Sequence, residues 1–495
     1  MQYRRFNQCV AVLAMASGLW SGAWAQDRQH ASTRLSDAEA TAPMRDVPAS
    51  SQPVTWYQLY DVGALSGGSS VFYNWDQTGG VFTPSSFNSS GQLAGSGLLL
   101  SKKNLAGSYL WSSGNLHHLP SLPHANKFKD GGSNALGLND HGLAIGISAN
   151  DQFSSFAGFP FYHAVSWTHG KIADLGDFGG NASWAEYVND SGLIVGFAYN
   201  NTPDQYSFYG TQFHAAAWQN GQIQDLGTLG GSDSEAWTVN SSGQVIGNSF
   251  TNNQPGPPFN QPQEDAFVWQ NGQMTDLGNL GGGFSTPSAI NRGGDITVIS
   301  FDASNQHFQS FLWSNGTQYP LPTLGGDFVE ASTLNDWDLI TGASSDAGDT
   351  NFQAALWIPW AGVSLSLGTV DGDSGSFGLG VNNSGVIVGG SGSITLSGAP
   401  AYAHAFVWQN GQIQDLNTLV DGTSSLTLNV AYAVNDHGEI AGLGTNSSGE
   451  THAFVLIPQS YSRSLRYPTA ADSPAAPGSS IKMASPMQRG MRGGR

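Results

Sequence analysis

The sequence has little cysteine and little charge. Cys9 is the only cysteine among 495 residues, and charged side chains make up 11% of the chain. Between residues 53 and 458 the shortage is mainly one of positive charge, because six Lys or Arg residues stand against 31 Asp or Glu, a net charge of −25. Nucleic acids and anionic membranes are held largely by basic side chains. We therefore expect neither to be a partner of this central region.

Glycine and aromatic residues, in contrast, are plentiful. The chain has 65 glycines, and Phe, Trp and Tyr together make up 11% of it. A disordered chain would be poor in aromatics and rich in charge. Glycine permits positive φ angles, so this composition favours many short strands joined by tight turns. Disulfides and cysteine metal sites are excluded once Cys9 is removed with the segment described next.

The ends of the chain predict export and two flanking segments. A positively charged start, an apolar run and Ala23-Trp24-Ala25 are typical of a cleaved signal peptide over residues 1–25. The apolar run is too short to span a bilayer, so we expect no transmembrane anchor and a secreted or periplasmic protein. Residues 26–52 predict a flexible leader. Residues 459–495, rich in Pro, Ala, Ser and Gly and mildly basic, predict a disordered tail.

One phrase recurs through the region between these segments. HAAAWQNGQIQDL at 214–226 returns as DAFVWQNGQMTDL at 265–277 and as HAFVWQNGQIQDL at 404–416. Its tryptophan recurs at intervals of 44 to 56 residues, and in the last copy Leu456 takes its place. A feature shared by most repeats is more simply structural than catalytic. We therefore predict a packing role between repeats for Trp111, Trp167, Trp218, Trp269, Trp313, Trp357 and Trp408.

A second marker follows each tryptophan. The chain passes through a glycine-rich loop, such as LGTLGG at 226–231, into a strand that ends in asparagine before a tight turn. Asparagine side chains commonly bond to the backbone of such turns. We therefore predict a structural role for Asn88, Asn139, Asn189, Asn240, Asn291, Asn335, Asn382 and Asn435.

These markers predict the fold. Each repeat contains four short alternating strands joined by tight hairpins, which is the pattern of a β-propeller blade. We predict an all-β propeller of eight four-stranded antiparallel blades over 53–458, with seven blades or a β-solenoid as alternatives. The strand at 55–63 lacks its usual hairpin partner, so it is expected to complete the last blade beside 453–456. Either the glycine-rich loop or the long loop before AFVW could join the blades.

Aromatic residues collect in the long loops, where the repeats differ most. Both tight turns of a meander lie on one face, so the long loops and glycine-rich loops share the other. Variable loops on a rigid scaffold are the usual location of binding sites. We predict ligand contacts for Phe153, Phe156, Phe159, Tyr199, Tyr206, Tyr209 and Phe259.

Catalytic and metal-binding signals are weaker. His163, His214, His404 and His452 occupy one repeat position, and Glu186, Glu235 and Glu330 recur near the glycine-rich loops; recurrence favours a structural role for both sets. The segment DGDSGS at 371–376 alternates oxygen donors with glycine, as calcium loops do. We therefore consider calcium as a cofactor, with Asp371 and Asp373 as ligands. No GxSxG, HExxH or phosphate-binding glycine loop is present, and we predict no catalytic residue.

The repeated unit, AFxW followed by DLGxLGG and VNxxG, resembles the bacterial extracellular HAF-repeat family from about residue 55 to 458. The first two copies lack a clean HAF segment, and 307–313 is HFQSFLW. The resemblance implies an exported bacterial protein built from these repeats. It implies no reaction, because the family is defined by its repeat.

These observations lead to one function and two alternatives. We expect a secreted, non-enzymatic and monomeric protein that uses its loop face to bind a glycan or a protein partner. A propeller hydrolase or lyase acting on polysaccharides is the first alternative, and it requires two or three close carboxylates. A structural component of the cell envelope is the second.

Overall fold

The computed structural model describes residues 55–65, 69–71, 86–99, 105–123, 125, 127, 132–395, 400–420 and 425–459. The predicted signal peptide and leader, and the tail from residue 460 onward, lie outside these residues. Within them there are 32 strands and two single-turn 3-10 helices, Pro359–Ala361 and Leu416–Thr418. None of these described helices has the length and hydropathy needed to cross a membrane.

The strands form eight four-stranded antiparallel blades, which confirms the predicted eight-bladed propeller. From the hub outward, blades 1 to 4 consist of β2 (Ser70–Val71), β3 (Leu93–Leu99), β4 (Leu105–Ser112) and β5 (Asn115–Leu119); β6 (Ser133–Leu138), β7 (Ala144–Ser154), β8 (Phe159–Thr168) and β9 (Lys171–Asp174); β10 (Ser183–Val188), β11 (Ile194–Pro203), β12 (Thr211–Gln219) and β13 (Gln222–Asp225); and β14 (Ser234–Val239), β15 (Val245–Gly256), β16 (Gln261–Gln270) and β17 (Gln273–Gly278).

The second half of the ring repeats this order. Blades 5 to 8 consist of β18 (Gly281–Ile290), β19 (Ile296–Asp302), β20 (Phe308–Ser314) and β21 (Thr317–Pro320); β22 (Val329–Leu334), β23 (Ile340–Ser345), β24 (Phe352–Ile358) and β25 (Val363–Gly368); β26 (Gly375–Val381), β27 (Ile387–Ser393), β28 (Ala401–Gln409) and β29 (Gln412–Asp415); and β30 (Leu426–Val434), β31 (Ile440–Asn446), β32 (Thr451–Gln459) and β1 (Trp56–Asp61).

Strand pairing shows which loops connect the blades. The outer strand β13 and the inner strand β14 belong to different sheets, and the glycine-rich loop 226–233 runs between them. The long loop before AFVW stays inside a blade, as the hairpin between its second and third strands. The glycine-rich loops therefore carry the chain from rim to hub. They share one face of the ring, called here the loop face, with the long hairpins, and the tight turns lie on the opposite face, the turn face.

The first strand closes the ring, as predicted. All six residues of β1 pair antiparallel with β32, from Trp56 opposite Gln459 to Asp61 opposite Phe454. The N–H of Val62 extends this ladder by donating to the carbonyl of Ala453. The outermost strand of blade 8 thus comes from the opposite end of the described chain. A blade that mixes the two ends ties them together and covers sheet edges that would otherwise be open.

The repeated tryptophans pack between neighbouring blades. Trp167 is 1% exposed and lies with Ala94 and Leu119 of blade 1, and its indole N–H donates to the carbonyl of Pro120 at 2.7 Å. Trp357 makes the same bond to Pro322 of blade 5 at 2.8 Å. Burying so large a ring at each joint provides the packing that this chain needs without disulfides. Trp111 and Trp218 are also buried, whereas Trp269, Trp313 and Trp408 are half-buried.

A glycine recurs in the second strand for a steric reason. The inner strand bulges, as between Ala236 and Thr238 of blade 4, and this turns a carbonyl toward the second strand. A Cβ on Gly247 would lie 1.9 Å from the backbone oxygen of Glu235. Gly146, Gly196, Gly342, Gly389 and Gly442 meet equivalent carbonyls at 2.0 to 2.2 Å. No side chain fits at such a distance, so these six blades require glycine there, whereas blade 5 has Val298, opposite Pro287.

Eight asparagines form a closed ring on the turn face. The Asn189 side chain accepts from the N–H groups of Ser191 and Leu193 and thereby holds its own turn. Its amide donates across the joint to the carbonyl of Asn240 in the next blade. The same interblade bond recurs at all eight joints at 2.9 to 3.4 Å and ends with Asn435 donating to Asn88.

Candidate functional site

The seven aromatic residues predicted to bind ligand do not form one exposed surface. Tyr199 and Tyr209 are each 4% exposed, so the prediction that they contact ligand is wrong. The reason is that the long hairpin of blade 3 packs against blade 2: the rings of Tyr199 and Tyr209 pack edge to face at 5.2 Å, and the Tyr209 hydroxyl donates to the carbonyl of Pro160 on β8. Half-buried positions are occupied by Phe159, Tyr206 and Phe259, while Phe153 and Phe156 are each 47% exposed.

A cavity of about 530 Å³ opens between the hairpins of blades 2, 3 and 4. Phe156 from blade 2 forms one wall, and Tyr206 from blade 3 contributes a second aromatic ring. The remaining lining is mostly polar and comes from Pro203, Asp204, Gln205, Gly210, Gln212, Ser232 and Asn253. The cavity thus combines two aromatic rings with carboxylate, amide and hydroxyl groups, and it lies on the loop face.

Two carboxyl groups meet beside this cavity. Asp204 lines it, whereas Asp233 is 2% exposed and shares a side-chain hydrogen bond with Asp204. Asp233 also accepts from the N–H of Phe213 at 2.8 Å and from the Ser232 hydroxyl at 2.9 Å. Burial, and then the charge of Asp204, raises the pKa of Asp233 well above its usual range. Protonation of Asp233 is thus favoured relative to that of a free aspartic acid, and Asp204 contributes its carboxyl oxygens to the cavity lining.

Three glutamates of blades 3 and 4 also have raised pKa values. Burial raises the pKa of Glu186 on β10 to about 7. Burial likewise raises the pKa of Glu264 on β16 to about 7, against the opposing effect of the bond it accepts from Asn248 at 2.8 Å. The pKa of Glu235 on β14 is raised well above its usual range, first by burial and then by the charges of Glu264, Glu186 and Asp233. Burial also raises the pKa of Glu330, on the inner strand of blade 6.

No positive side chain compensates these acids within the described residues. The Lys and Arg residues placed there are Lys127, Lys171 and Arg292. Lys127 donates to the carbonyl of Asp151, Arg292 lies 3.9 Å from Asp336 on the turn face, and Lys171 is exposed at the start of β9. None of them lines the cavity. The site therefore repels anions and suits neutral or cationic ligands.

The repeated histidines pair with aspartates of their own blades. His163 and His214 contact Asp174 and Asp225 through Nδ1 at 2.8 Å, and in blade 8 His452 contacts Asp61 of β1 at 2.9 Å. Burial lowers the pKa of His163, but the bond and charge of Asp174, followed by the charge of Asp177, outweigh it, so the pKa is raised. These pairs join the third and fourth strands of blades 2, 3 and 8, which favours their structural interpretation.

The acidic loop of blade 7 takes part in the same kind of pair. The Asp373 carboxylate contacts His404 Nδ1 at 2.9 Å, while Asp371, two residues earlier in the loop, is exposed. Asp415, which would otherwise be the partner of His404, accepts from the N–H of Asn417 instead. Across the described residues, no three His, Cys, Asp or Glu side chains are grouped as a metal site. A calcium requirement stays a prediction.

Several of these residues were not recognised in the sequence, above all Asp204, Asp233 and Glu264. Asp204 and Asp233 are 29 positions apart and belong to different structural segments. One usable signal was present, because Asp233 stands immediately before Ser234, whereas the equivalent serines of blades 3 and 5, Ser183 and Ser285, follow Ala182 and Phe284. A buried aspartate at a position that is otherwise apolar is the kind of departure that marks a site.

No family model matches the sequence, and no curated protein matches it. Among solved structures, the chain is similar to a puromycin-hydrolyzing peptidase of Mycobacterium tuberculosis (11% identity, TM-score 0.40, 79% of this chain and 61% of that one). It thus spans about three fifths of the peptidase. It is also similar to the β-propeller domain of the Trilobed protease from Pyrococcus furiosus (11%, 0.38, 74% and 97%) and to an oligogalacturonate lyase in complex with manganese (9%, 0.37, 82% and 97%).

Proposed function

We propose that this is an exported binding protein of the HAF-repeat type that holds a neutral glycan in the loop-face cavity. The observation that carries the proposal is the composition of the cavity wall. Phe156 and Tyr206 offer apolar rings for the C–H faces of a sugar, and Gln205, Gln212 and Asp204 offer hydrogen-bond partners for its hydroxyls. Since no cation lines the cavity, sulfated, phosphorylated and uronic-acid glycans are disfavoured.

A glycan array followed by titration calorimetry tests this proposal. The full chain is expected to select neutral oligosaccharides, and Phe156→Ala to weaken the best of them by about tenfold or more, which corresponds to about 1.4 kcal/mol of lost contact. Phe153→Ala is the matched control, because Phe153 is equally exposed on the same hairpin but does not line the cavity. Repeating the array with calcium and with a chelator tests the calcium prediction.

Preference for acidic glycans, or equal losses in the two variants, would contradict the proposal. A blank array would instead favour a protein partner, the other ligand class expected from the sequence.

Polysaccharide hydrolysis is the second candidate, because it requires two carboxyl groups beside the bound sugar and Asp204 and Asp233 lie together at the cavity. Glycosidases place their two carboxyl groups about 5 to 9 Å apart, with room for a sugar carbon or a water. Asp204 and Asp233 share a side-chain hydrogen bond and are therefore closer than this spacing, which makes hydrolysis the weaker candidate. Reducing-end or unsaturated-product assays on polysaccharides that bind test this candidate, and turnover abolished by Asp204→Asn would establish it.

A further inference from the structure

The outer strands of the blades follow a common pattern of exposure. In blades 2 to 6 the first and third residues of this strand are exposed, and the second is half-buried against the blade. In blades 2 to 4 the second residue is apolar and the exposed ones include glutamine, lysine and threonine, as in Gln222-Ile223-Gln224 of β13. Polar residues on an exposed sheet edge prevent it from pairing with other strands.

Blade 6 keeps this exposure pattern but places apolar residues at the exposed positions and a polar one at the half-buried position. Its outer strand begins Val363-Ser364-Leu365, so that Val363 is 43% exposed and Leu365 37% exposed, while Ser364 lies opposite Trp357. Within the described chain β25 pairs with β24 alone, and its other edge is unpaired. The strand therefore offers backbone hydrogen-bonding groups and apolar side chains together, without the usual polar protection.

Two tryptophans extend this surface onto the turn face. Trp360 is 72% exposed and Trp337 is 58% exposed, and the Trp360 indole donates to the carbonyl of Trp337 at 3.3 Å. Tyr319, which is 49% exposed, lies on the outer strand of blade 5, the blade that precedes blade 6. All the exposed large apolar residues of the described chain, apart from Phe153 and Phe156, thus belong to blades 5 and 6. Exposed apolar groups concentrated in this way mark interaction sites.

We infer that β25 is a homodimer interface, where it pairs antiparallel with β25 of a second copy about a twofold axis. A second copy of the chain fits this edge, because the residue pattern of β25 is complementary to itself. With Ser364 on the axis, Val363 of each copy lies opposite Leu365 of the other, and such apolar cross-strand pairs stabilise a sheet.

Charge favours the same occupant. Residues 352–370 contain no Asp, Glu, Lys or Arg, although the chain carries a formal net charge of −19. Two copies can therefore approach at this edge with less of the repulsion expected elsewhere on the surface. Pairing would join two blades into one eight-stranded sheet and would remove two exposed edges. It departs from the monomer expected from the sequence alone, and it does not depend on the proposed glycan site.

Sedimentation velocity across a range of protein concentrations tests the inference. The full chain is expected to show a concentration-dependent dimer, and Leu365→Lys to weaken it by at least tenfold, because a lysine would stand opposite Val363. Gln224→Lys is the control, since Gln224 holds the same register position on the edge of blade 3. A monomer at all concentrations, or a dimer that survives Leu365→Lys, would overturn the inference.

Cross-linking tests the pairing separately from stability. With Cys9 replaced by serine, Ser364→Cys is expected to form a disulfide-linked dimer under mild oxidation, because opposite residues of antiparallel strands lie about 4.5 to 5.5 Å apart at Cα. Ser366→Cys, which would face Gly362, is expected to remain unlinked. Equal cross-linking of the two variants, or none, would exclude an axis at Ser364. Capture of a different protein by an otherwise monomeric chain would assign the edge to another partner and reject self-association.

Discussion

The two faces of the ring are built on different principles. On the turn face, every blade contributes one asparagine to the same interblade bond. On the loop face, blades of the same topology carry hairpins of different length and composition, and the cavity forms where three of them meet. The asparagine position on the turn face is used eight times, whereas the contacts of Asp204 and Phe156 occur once. Repetition here marks what holds the ring together, and departure from repetition marks what is available for binding.

Among the substitutions considered, Gly247→Ala is expected to destabilise the repeated scaffold most. A Cβ there would lie 1.9 Å from a carbonyl oxygen, so the inner strand must shift, and we expect a loss of about 3 kcal/mol or more in the free energy of unfolding. Gly256→Ala, in a hairpin with nothing within 4 Å of the new methyl group, is the control. Urea denaturation followed by tryptophan fluorescence measures both. Similar stability of the two variants would show that the inner strand yields easily.

The same substitution at Asn189 and at Asn253 compares the contributions of the two faces to stability and binding. Asn189→Ala removes bonds to two turn N–H groups and to the next blade, and we expect a loss of about 2 kcal/mol in the free energy of unfolding without a direct effect on the cavity. Asn253→Ala, on the cavity wall, is expected to leave stability within about 0.5 kcal/mol and to weaken glycan binding. Thermal melting and calorimetry on each variant provide the comparison. The distinction between faces would be lost if both variants changed the same property.

The smallest expected effect is the pH dependence due to Glu186. Its folded pKa, about 7, lies above the ordinary value of 4.5, so the folded state binds more protons than the unfolded state between these values. Stability therefore falls as pH rises from about 4.5 to 7. Glu186→Gln should increase the free energy of unfolding at pH 8 and change it little at pH 4. Chemical denaturation at the two pH values tests this, and an equal gain at both would show that the ionised carboxylate is not the cause.

The repeated features were predictable from the sequence because they follow a fixed spacing. Equivalent tryptophans and asparagines define eight units, and the strand at 55–63 lacked a partner that only the last unit could offer. The loop-face site was not predictable in the same way. Aromatic residues in a loop suggested exposure, but Tyr199 and Tyr209 are buried because their hairpin packs against the neighbouring blade 2. Asp204 meets Asp233 across a joint between blades, and no periodicity links those two positions.

The asparagine ring also constrains how such a protein can change in length. Each amide reaches the carbonyl of the following asparagine at hydrogen-bond distance, and the circuit ends where it began, from Asn435 to Asn88. A solenoid can gain or lose a copy at its tip and leave the others undisturbed. Here, a duplicated or deleted repeat would alter the angle at every joint and stretch or compress every one of these bonds. Gain or loss of a whole repeat is therefore destabilising at every joint of the ring. The hairpins on the loop face, in contrast, can change in one blade without affecting these bonds.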